Sequence, residues 1–548
     1  MAWQRRNAPT VALAGVLFAS AVVLLYLARN FTFIQDTWNF LLERQGSSLD
    51  TFFKPHNEHI VVIPVTIEKL LVSLFGMGSA LPERLVLTAM LLATAGLVFV
   101  YVRRRVGPWP AVIAATLLSF LGPSWMILLW PFQTVIVGSV LCGVAALLLL
   151  DRDDRLGDAW ACVLLVLSVL FSAIGVSFAL GAAVDVLVRR RERGLFGRAY
   201  VALVPLLVYV AWYLGWGHEA ENYLNFNNVL HSPVFLLEGF ASSIDSLLGL
   251  STVDVNDIGE PSWGRPLLIV AIGLVIWGQT KRRGFSPRLW PVAAAAASYW
   301  LLAGFNTFAG RPPVASRYGY AGAVFVLLIA ADLLKGVRFS RNALLVGGAV
   351  TLLAVSANLA ALRDGKGWLE NLSILTRADT AAIEIAEPTV QSTFRLTPEI
   401  AGTGSLIAIE AGSYLDAVHE HGSDAYTPEE LLSAPEVARR QADIVLGQAL
   451  PLSTEVEPGG YRAGPAPGCL EATPGEEIEM RPGSTRLEVA PGPHAGFSLR
   501  RFASGEYPVK TEGADGGSAV VLVIPRDNST QPWFLSVEAE QPVRVCPA

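Results

Sequence analysis

The chain alternates apolar blocks with short polar connectors over its first two thirds. Eleven blocks approach the length of about 20 residues that an α-helix needs to cross roughly 30 Å of bilayer hydrocarbon. They lie near residues 9–28, 85–102, 109–121, 134–150, 160–172, 176–188, 200–216, 266–277, 290–305, 321–334 and 343–362. The pattern predicts a polytopic α-helical membrane domain over residues 1–362, with about 11 transmembrane helices.

Arginine-rich connectors predict the orientation of these helices. The basic clusters fall in alternate connectors, and basic connectors stay in the cytoplasm by the positive-inside rule. They occupy residues 5–6, 103–105, 152–155, 189–198, 281–288 and 335–341. We therefore expect a cytoplasmic N-terminus, retained as a signal anchor. The long polar loops then face outward, and the first of them covers residues 30–82.

Residues 60–75 form one more apolar stretch that tests this topology. A span here would reverse the orientation of everything downstream. The stretch carries Glu68 and Lys69 near its middle, and charges in hydrocarbon cost several kcal/mol. We expect instead an amphipathic helix on the outer membrane surface. Asn57 is its predicted N-cap, and the helix dipole favours Glu58 at that end.

The composition changes after residue 362 and predicts a soluble extracytoplasmic domain over residues 363–548. Thr427-Pro428 begins one predicted helix and Pro435-Glu436 begins another. From about residue 485, short alternating runs separated by Gly, Pro and Asn predict a β-sandwich. The clearest runs are residues 518–524 and 533–537. The domain is therefore expected to be α+β.

Composition supports the membrane assignment and excludes one class of partner. Hydrophobic residues make up 52% of the chain and charged residues 16%. The net charge of −6 argues against nucleic acid as a partner. Cys142 and Cys162 lie in apolar blocks and are expected to be small core residues. Cys469 and Cys546 lie in the polar domain, where we expect a disulfide.

Asp36 is the candidate catalytic residue because it follows the first span by a few residues. A carboxylate at the membrane surface can reach the headgroup of a lipid-borne substrate. It can take the proton of an acceptor hydroxyl while that oxygen displaces a lipid phosphate from the anomeric carbon of a sugar. The structural alternative is a helix-capping Asp36, with Trp38 as an aromatic residue of the membrane interface.

A polar run at residues 54–59 follows in the same loop. His56 and His59 flank Glu58, and the three can share one helical face and bind a divalent metal. The rival role is hydrogen bonding to phosphate or sugar, and a solvated loop is the third alternative. The phosphate and sugar role would include Asn57, Lys54 and Arg44.

A later external loop, at residues 307–320, adds Arg311, Arg317 and Tyr318. Arg grips phosphate with two parallel hydrogen bonds, which favours substrate binding, whereas snorkelling at the interface is the alternative. A second carboxylate is left open among residues of the loop at 217–265. The candidates are Glu219, Glu221, Asp245, Asp254 and Asp257.

Together these features resemble the GT-C superfamily of membrane glycosyltransferases. The resemblance rests on Gln35-Asp36-Thr37-Trp38 outside the first span, the long first external loop, and Ser316-Arg317-Tyr318 before a late span. It covers residues 1–362 and implies an inverting transferase with a polyprenyl-phosphate sugar as donor and Asp36 as catalytic acidic residue. Many members carry paired acidic residues where this chain has Gln35-Asp36, so the resemblance does not carry over a metal.

The function expected from the sequence is transfer of a sugar to a glycan or lipid acceptor of the cell envelope at the outer face of the plasma membrane. No cofactor is certain, and a divalent metal stays open. A transporter or flippase for lipid-linked sugars is the first alternative, although Asp185 and Asp332 lie near the cytoplasmic ends of their spans. The second alternative is a non-catalytic scaffold that binds envelope polysaccharide.

Overall fold

The computed structural model describes residues 2–281, 285–308, 310–397, 400, 409–464 and 467–547. The chain forms two compact units. The first contains Met1–Asn30, Gly46–Leu71 and Leu81–Leu369, and the second contains Phe31–Gln45, Val72–Ala80 and Glu370–Ala548. The division at residue 362 expected from composition therefore leaves out two N-terminal segments that belong to the second unit.

Helices dominate the first unit. They are α1 (Ala2–Leu27), α2 (Leu49–Phe53), α3 (Val62–Phe75), α4 (Leu81–Arg105), α5 (Pro108–Ser119), α6 (Trp125–Leu129), α7 (Thr134–Leu150), α8 (Arg155–Phe171), α9 (Ile174–Val188), α10 (Arg190–Arg193), α11 (Tyr200–Gly215), α12 (Phe226–Leu247), α13 (Gly264–Lys281), α14 (Leu289–Phe305), α15 (Ser316–Leu333) and α16 (Arg341–Ala386). The ends of α3 and α16 extend into the second unit. Each of the eleven predicted spans coincides with one of these helices.

Length and composition separate the apolar helices into two groups. Among the described residues, five helices are long and apolar enough to cross a membrane: Asn7–Leu27, Leu81–Arg105, Pro131–Leu150, Ser316–Leu333 and Arg341–Ala386. Pro108–Ser119 and Gly122–Leu129 make a sixth if this pair, bent by 47°, counts as one span. Four further apolar helices are shorter: Ile174–Val188, Tyr200–Gly215, Gly264–Gly278 and Leu289–Phe305. The protein is thus a polytopic helical membrane protein.

The region from residue 54 to residue 75 differs in part from the prediction. A helix forms as expected, and α3 is not among the helices long and apolar enough to cross a membrane. Lys69 donates to the carbonyl of Gly46 at 2.8 Å. Asn57 is not the N-cap of α3, because this helix begins only at Val62 and Asn57 has a left-handed backbone with φ of 49°.

Buried ion pairs join helix ends and a connector of the first unit. Arg105 of α4 pairs with Asp332 of α15, Nε to Oδ1 at 2.5 Å, and Tyr101 donates to the other oxygen of Asp332. Arg198 binds Asp158 at 3.0 Å and Asp185 at 2.7 Å. Arg105 and Arg198 belong to the basic clusters at residues 103–105 and 189–198, from which we predicted the topology. Arg282 and Arg283 of another cluster lie outside the described residues.

The second unit combines helices with a β-sandwich. Its helices are α17 (Ala411–His421), α18 (Pro428–Ser433) and α19 (Glu436–Ala449). Its strands are β1 (Arg395–Leu396), β2 (Ile409–Glu410), β3 (Ser453–Glu457), β4 (Leu470–Ala472), β5 (Glu477–Met480), β6 (Gly483–Val489), β7 (Gly496–Arg500), β8 (Val509–Lys510), β9 (Ala519–Ile524), β10 (Trp533–Glu538) and β11 (Val543–Pro547). In the described residues, a sheet of order β5-β10-β7-β8 and a sheet of order β3-β9-β6-β11-β4 form the sandwich, and β1 pairs with β2.

Local signals in this domain predicted its elements well. Thr427 and Glu430 form the capping box at the start of α18, and α19 begins at Glu436 as expected. The runs at 518–524 and 533–537 correspond to β9 and β10. The predicted start of the β-rich part near residue 485 was wrong. The first strand of the sandwich begins at Ser453. The sequence did not reveal β3 to β5 because these strands are only three to five residues long and rich in polar residues.

The disulfide joins two neighbouring strands of the second unit. Cys546 lies in β11, Cys469 directly precedes β4, and these antiparallel strands pair Val545 with Leu470. The sulfur atoms are 2.06 Å apart, which confirms the predicted bond. Cys142 and Cys162 are buried and free, as expected for core residues of the membrane domain.

We predict two labelled thiols in the unreduced, denatured protein and four after reduction. Replacing Cys546 with Ser should destabilise the second unit by about 4.5 kcal/mol in the chain-entropy model, because the bond closes a loop of 77 residues. Thiol labelling with mass spectrometry and thermal unfolding measure both effects. Cys142→Ala is the control and should leave the Cys469–Cys546 peptide intact. Four labelled thiols without reductant would contradict the prediction.

Candidate functional site

The segment that carries Asp36 belongs to the second unit and has an irregular backbone. Gln35 adopts a left-handed conformation with φ of 47°, which is uncommon for a residue other than glycine. The amide of Asn39 donates to the carbonyl of Asp36 at 3.2 Å, and a π-helix follows over Asn39–Glu43. The side chain of Asp36 is half-buried. Strained residues and π-helical turns often occur at functional sites.

Two other predicted residues of this segment are buried in the second unit. The indole of Trp38 packs edge-on against Phe33 and Tyr414, with ring centroids 6.1 and 5.6 Å apart, and only 5% of Trp38 is exposed. Trp38 is thus a core residue of the second unit, and a contact of Trp38 with substrate stays a prediction. Arg44 lies over the ring of Phe40. Burial lowers the pKa of Arg44 to about 10, although the charge of Glu43 raises it in part.

The polar run at residues 54–59 belongs to the first unit and forms a tight turn. His56 and His59 exchange backbone hydrogen bonds, amide to carbonyl, at 3.0 and 2.9 Å. The left-handed Asn57 makes this reversal possible. The prediction that His56 and His59 share one helical face was therefore wrong. Lys54 and Asn57 are exposed on the loop.

Aromatic side chains of the first unit fix this turn. The indole N–H of Trp212 donates to the carbonyl of Phe53 at 2.8 Å, and Trp216 stacks on Phe53 at 4.9 Å. Ile60, on the other side of the turn, is fully buried against Trp212. The imidazole of His56 lies 5.1 Å from the ring of Phe132. Both ends of the turn are thus held by packing, which orients Glu58 and His59.

An ion pair links this turn to the late polar loop. Nη1 of Arg311 lies 2.5 Å from Oε1 of Glu58, although 253 positions separate the two residues. Nε2 of His59 lies 3.7 Å from the same carboxylate oxygen. The structure therefore brings together three of the predicted site residues, Arg311, Glu58 and His59.

The electrostatics of the cluster set the charges of Glu58 and His59. Burial alone would raise the pKa of Glu58. The charge that His59 carries when it is protonated, together with the hydrogen bond and charge of Arg311, outweighs burial and lowers this pKa. Burial lowers the pKa of His59. The charge of Glu58 raises this pKa, but the charges of Arg311, His56 and Arg317 lower it, so that the net shift is downward. Glu58 is thus an anion at neutral pH and His59 is a neutral imidazole.

Neighbouring loops hold Arg311 in place. The hydroxyl of Thr307 donates to the carbonyl of Arg311 at 2.7 Å. The side-chain amide of Asn228 donates to the carbonyls of Tyr223 and Thr307 at 3.0 and 2.8 Å. The guanidinium of Arg311 lies 4.9 Å from the ring of Phe308, within cation–π distance. These contacts hold the backbone around Arg311 and place an aromatic ring beside its guanidinium.

Asp257 supports the other arginine of the cluster. Its Oδ1 accepts the backbone N–H of Ser316 at 2.8 Å and so caps the first turn of α15, which contains Arg317. Burial raises the pKa of Asp257 against that hydrogen bond and the charge of Arg317. Tyr318 packs its ring against Phe235 and Trp300, at 5.9 and 6.1 Å.

The other candidates for the second carboxylate lie in different surroundings. Glu221 accepts the hydroxyl of Tyr223 at 2.9 Å, and Asp254 accepts the amides of Asn256 and Ile258 within its own turn. Asp245 is 1% exposed on α12. Among these five candidates, in the part of the chain that the structure describes, Asp257 bonds the backbone beside Arg317. Sequence spacing could not single out Asp257 among the five, because its partner Ser316 lies 59 positions away.

Four buried polar atoms of the cluster lack a hydrogen-bond partner among the described residues. They are Oε2 of Glu58, Nδ1 of His59, Nε of Arg311 and Nε of Arg317. Buried polar atoms are nearly always paired, because leaving one unpaired costs about 1 to 3 kcal/mol. Their concentration in one cluster indicates a binding site for a polar ligand with both an anionic group and hydrogen-bond donors.

The cluster does not fit the divalent metal that the sequence left open. In the part of the chain that the structure describes, no three His, Cys, Asp or Glu residues are arranged to hold a metal ion. Glu58 already binds the cationic Arg311, and the charge of Arg317 also acts on His59. A second cation would be repelled by both guanidinium groups.

Comparison with protein-family models gave no match, and comparison with curated protein sequences gave none. Among solved structures, the chain is similar to the crystal structure of ArnT from Cupriavidus metallidurans bound to undecaprenyl phosphate. The two chains are 12% identical with a TM-score of 0.44, and the match covers 82% of this chain and 93% of the other. A likeness of this degree carries no conclusion about the activity of this protein.

The pH dependence of stability tests the Arg311–Glu58 pair. The folded-state pKa of Glu58 is lowered, so its contribution to stability is present above the ordinary carboxyl pKa and is lost as the pH falls through the lowered value. The wild type should unfold at a higher temperature than Glu58→Gln at about pH 7, and the difference should shrink toward about pH 3. Glu58→Asp, which keeps the charge, is the control. A difference independent of pH would refute this assignment.

Proposed function

We propose that this protein is an inverting glycosyltransferase of the GT-C type. It transfers a sugar from a polyprenyl-phosphate donor to a glycan or lipid acceptor of the cell envelope. The site opens to the outer face of the plasma membrane, the N-terminus is cytoplasmic, and the C-terminal domain is extracytoplasmic. Membrane lipids and the lipid-linked sugar are the partners, and the proposed reaction uses no nucleic acid.

The cluster of Glu58, His59, Arg311 and Arg317 carries this proposal. Its unpaired guanidinium N–H groups suit a phosphate, because arginine binds phosphate oxygens through charge-assisted hydrogen bonds. Its unpaired carboxylate oxygen suits a hydroxyl donor. A sugar phosphate offers both groups in one molecule. Lys54 and Asn57, exposed on the same loop, supply further polar contacts for the headgroup.

The proposed reaction is a single displacement at the anomeric carbon. The acceptor oxygen forms a bond to this carbon while the bond to the phosphate oxygen breaks and its electron pair stays on the phosphate. The proton of the acceptor hydroxyl passes to a carboxylate. The products are the glycosylated acceptor and polyprenyl phosphate. Arg311 and Arg317 stabilise the charge that develops on the departing phosphate.

Asp36 is the proposed base. Its half-buried carboxylate follows the strained Gln35 and precedes a π-helix, an arrangement that fixes a side chain at the cost of backbone strain. A separate variant tests this role.

The ion pairs of the first unit argue against ion-coupled transport. Coupling in transporters uses ionisable groups that change charge within the membrane. Asp185 and Asp332 are each bound to a buried arginine, Arg198 and Arg105. Paired in this way they stabilise the helix ends, which favours a transferase over a transporter.

Replacing Asp36 with Asn should abolish sugar transfer and leave folding unchanged. The amide has nearly the same shape but cannot take the acceptor's proton, and loss of a general base typically costs about 10²- to 10⁴-fold in rate. Transfer from polyprenyl-phosphate sugars extracted from the host is measured in isolated membranes. Asp416→Asn, an exposed change in the same unit, is the matched control. Full activity of Asp36→Asn would remove Asp36 from catalysis.

Replacing Arg317 with Ala should raise the donor KM by roughly 10- to 100-fold, because a hydrogen bond to a charged group is worth about 1.5 to 3 kcal/mol. Arg317→Lys should recover only part of this loss, since lysine cannot form the two parallel bonds. Arg265→Ala removes an exposed arginine that pairs with Glu238 and Glu260 and serves as control. An unchanged donor KM in Arg317→Ala would contradict the phosphate role.

A further inference from the structure

Glu58 stands out because it places a carboxylate inside a proposed phosphate site. We propose that Glu58 is a specificity-determining residue that distinguishes the sugar-bearing lipid phosphate from the bare lipid phosphate left after transfer. The inference rests on the proposed function and adds to it a mechanism for releasing the product.

Geometry divides the two oxygens of Glu58 between two tasks. Oε1 binds Arg311 at 2.5 Å, so this oxygen holds the arginine in place. Oε2 is buried and has no hydrogen-bond partner among the described residues. The turn at Asn57 and the packing of Ile60 place the backbone of Glu58, and the bond to Arg311 orients its side chain. A bound ligand must therefore place a hydrogen-bonding group next to the fixed position of Oε2.

The charge of Glu58 decides which ligand group can form a hydrogen bond with Oε2. An ionised carboxylate only accepts hydrogen bonds, so Oε2 requires a hydroxyl or another donor. The neighbouring Nε atoms of Arg311 and Arg317 only donate and require an anion. A sugar phosphate satisfies both requirements, because hydroxyl groups lie a few bonds from its phosphate. A bare phosphate leaves Oε2 unsatisfied.

The two lipids also differ in charge. The sugar-bearing lipid is a phosphodiester with one negative charge, whereas the bare lipid is a phosphomonoester whose second pKa is about 6. The product therefore gains close to one further negative charge near neutral pH. This charge is attracted by the arginines but repelled by Glu58. Glu58 thus weakens product binding relative to donor binding.

A consequence follows for turnover. Two arginines without an acidic neighbour would hold a doubly charged phosphate tightly, and product release would become slow. Glu58 counteracts this retention only after the sugar has left, because its hydroxyl partner leaves with the sugar. The same residue therefore favours entry of the loaded lipid and exit of the empty one.

The test measures direct binding of two probes to the purified full-length protein in nanodiscs. The probes are polyprenyl phosphate, a monoester, and its methyl ester, a diester with one charge and no sugar. At about pH 7.5 the monoester carries most of its second charge. Replacing Glu58 with Gln should tighten monoester binding about tenfold relative to the methyl ester, because the repulsion is removed while Gln still accepts from Arg311. Glu58→Ala removes the charge by another route and should shift the affinity ratio in the same direction.

The outcomes separate the two proposals. A shift of the monoester to diester ratio in Glu58→Gln, together with stronger inhibition of sugar transfer by polyprenyl phosphate, supports the inference. Equal changes for both lipids would reduce Glu58 to a residue that only positions Arg311 and would overturn it. Absence of binding of either lipid to the wild type would overturn the phosphate site itself. Arg265→Ala, the exposed control, should leave the ratio unchanged.

Discussion

Buried polar groups in the membrane unit must find partners, and the two ends of α15 meet this requirement differently. At the C-terminal end, Asp332 is paired with Arg105 and Tyr101. Near the N-terminal end, about 22 Å away along the helix, Nε of Arg317 is buried without a hydrogen-bond partner among the described residues. Residues of the same types thus stabilise the fold at one end and leave binding capacity at the other.

The unpaired groups persist because rigid elements hold them. Packing of Phe53 and Ile60 against Trp212 fixes the turn of Glu58, and Asp257 caps the helix that carries Arg317. A flexible loop would let these side chains turn toward water or toward one another. Fixed in place, they are preorganised for the ligand proposed above, and preorganisation reduces the conformational entropy that is lost on binding.

The second unit shows how an N-terminal segment can belong to a C-terminal domain. Trp38 packs on Tyr414, and Leu41 and Met77 join the same hydrophobic core. The local sequence around Trp38 is equally typical of a membrane interface. Only the long-range contact with Tyr414 shows that Trp38 lies in this core, whereas the capping box of α18 and the strands β9 and β10 follow from local sequence.

The sequence by itself determined the features that depend on neighbouring residues. Apolar blocks of span length fixed the positions of the eleven helices, Thr427 and Glu430 fixed a helix start, and alternation fixed β9 and β10. It also identified Arg311 and Glu58 as candidates. The tertiary structure decided that they pair across 253 positions, that residues 56–59 form a turn, and that Asp257 supports Arg317. These contacts arise from packing between distant segments, which no local periodicity encodes.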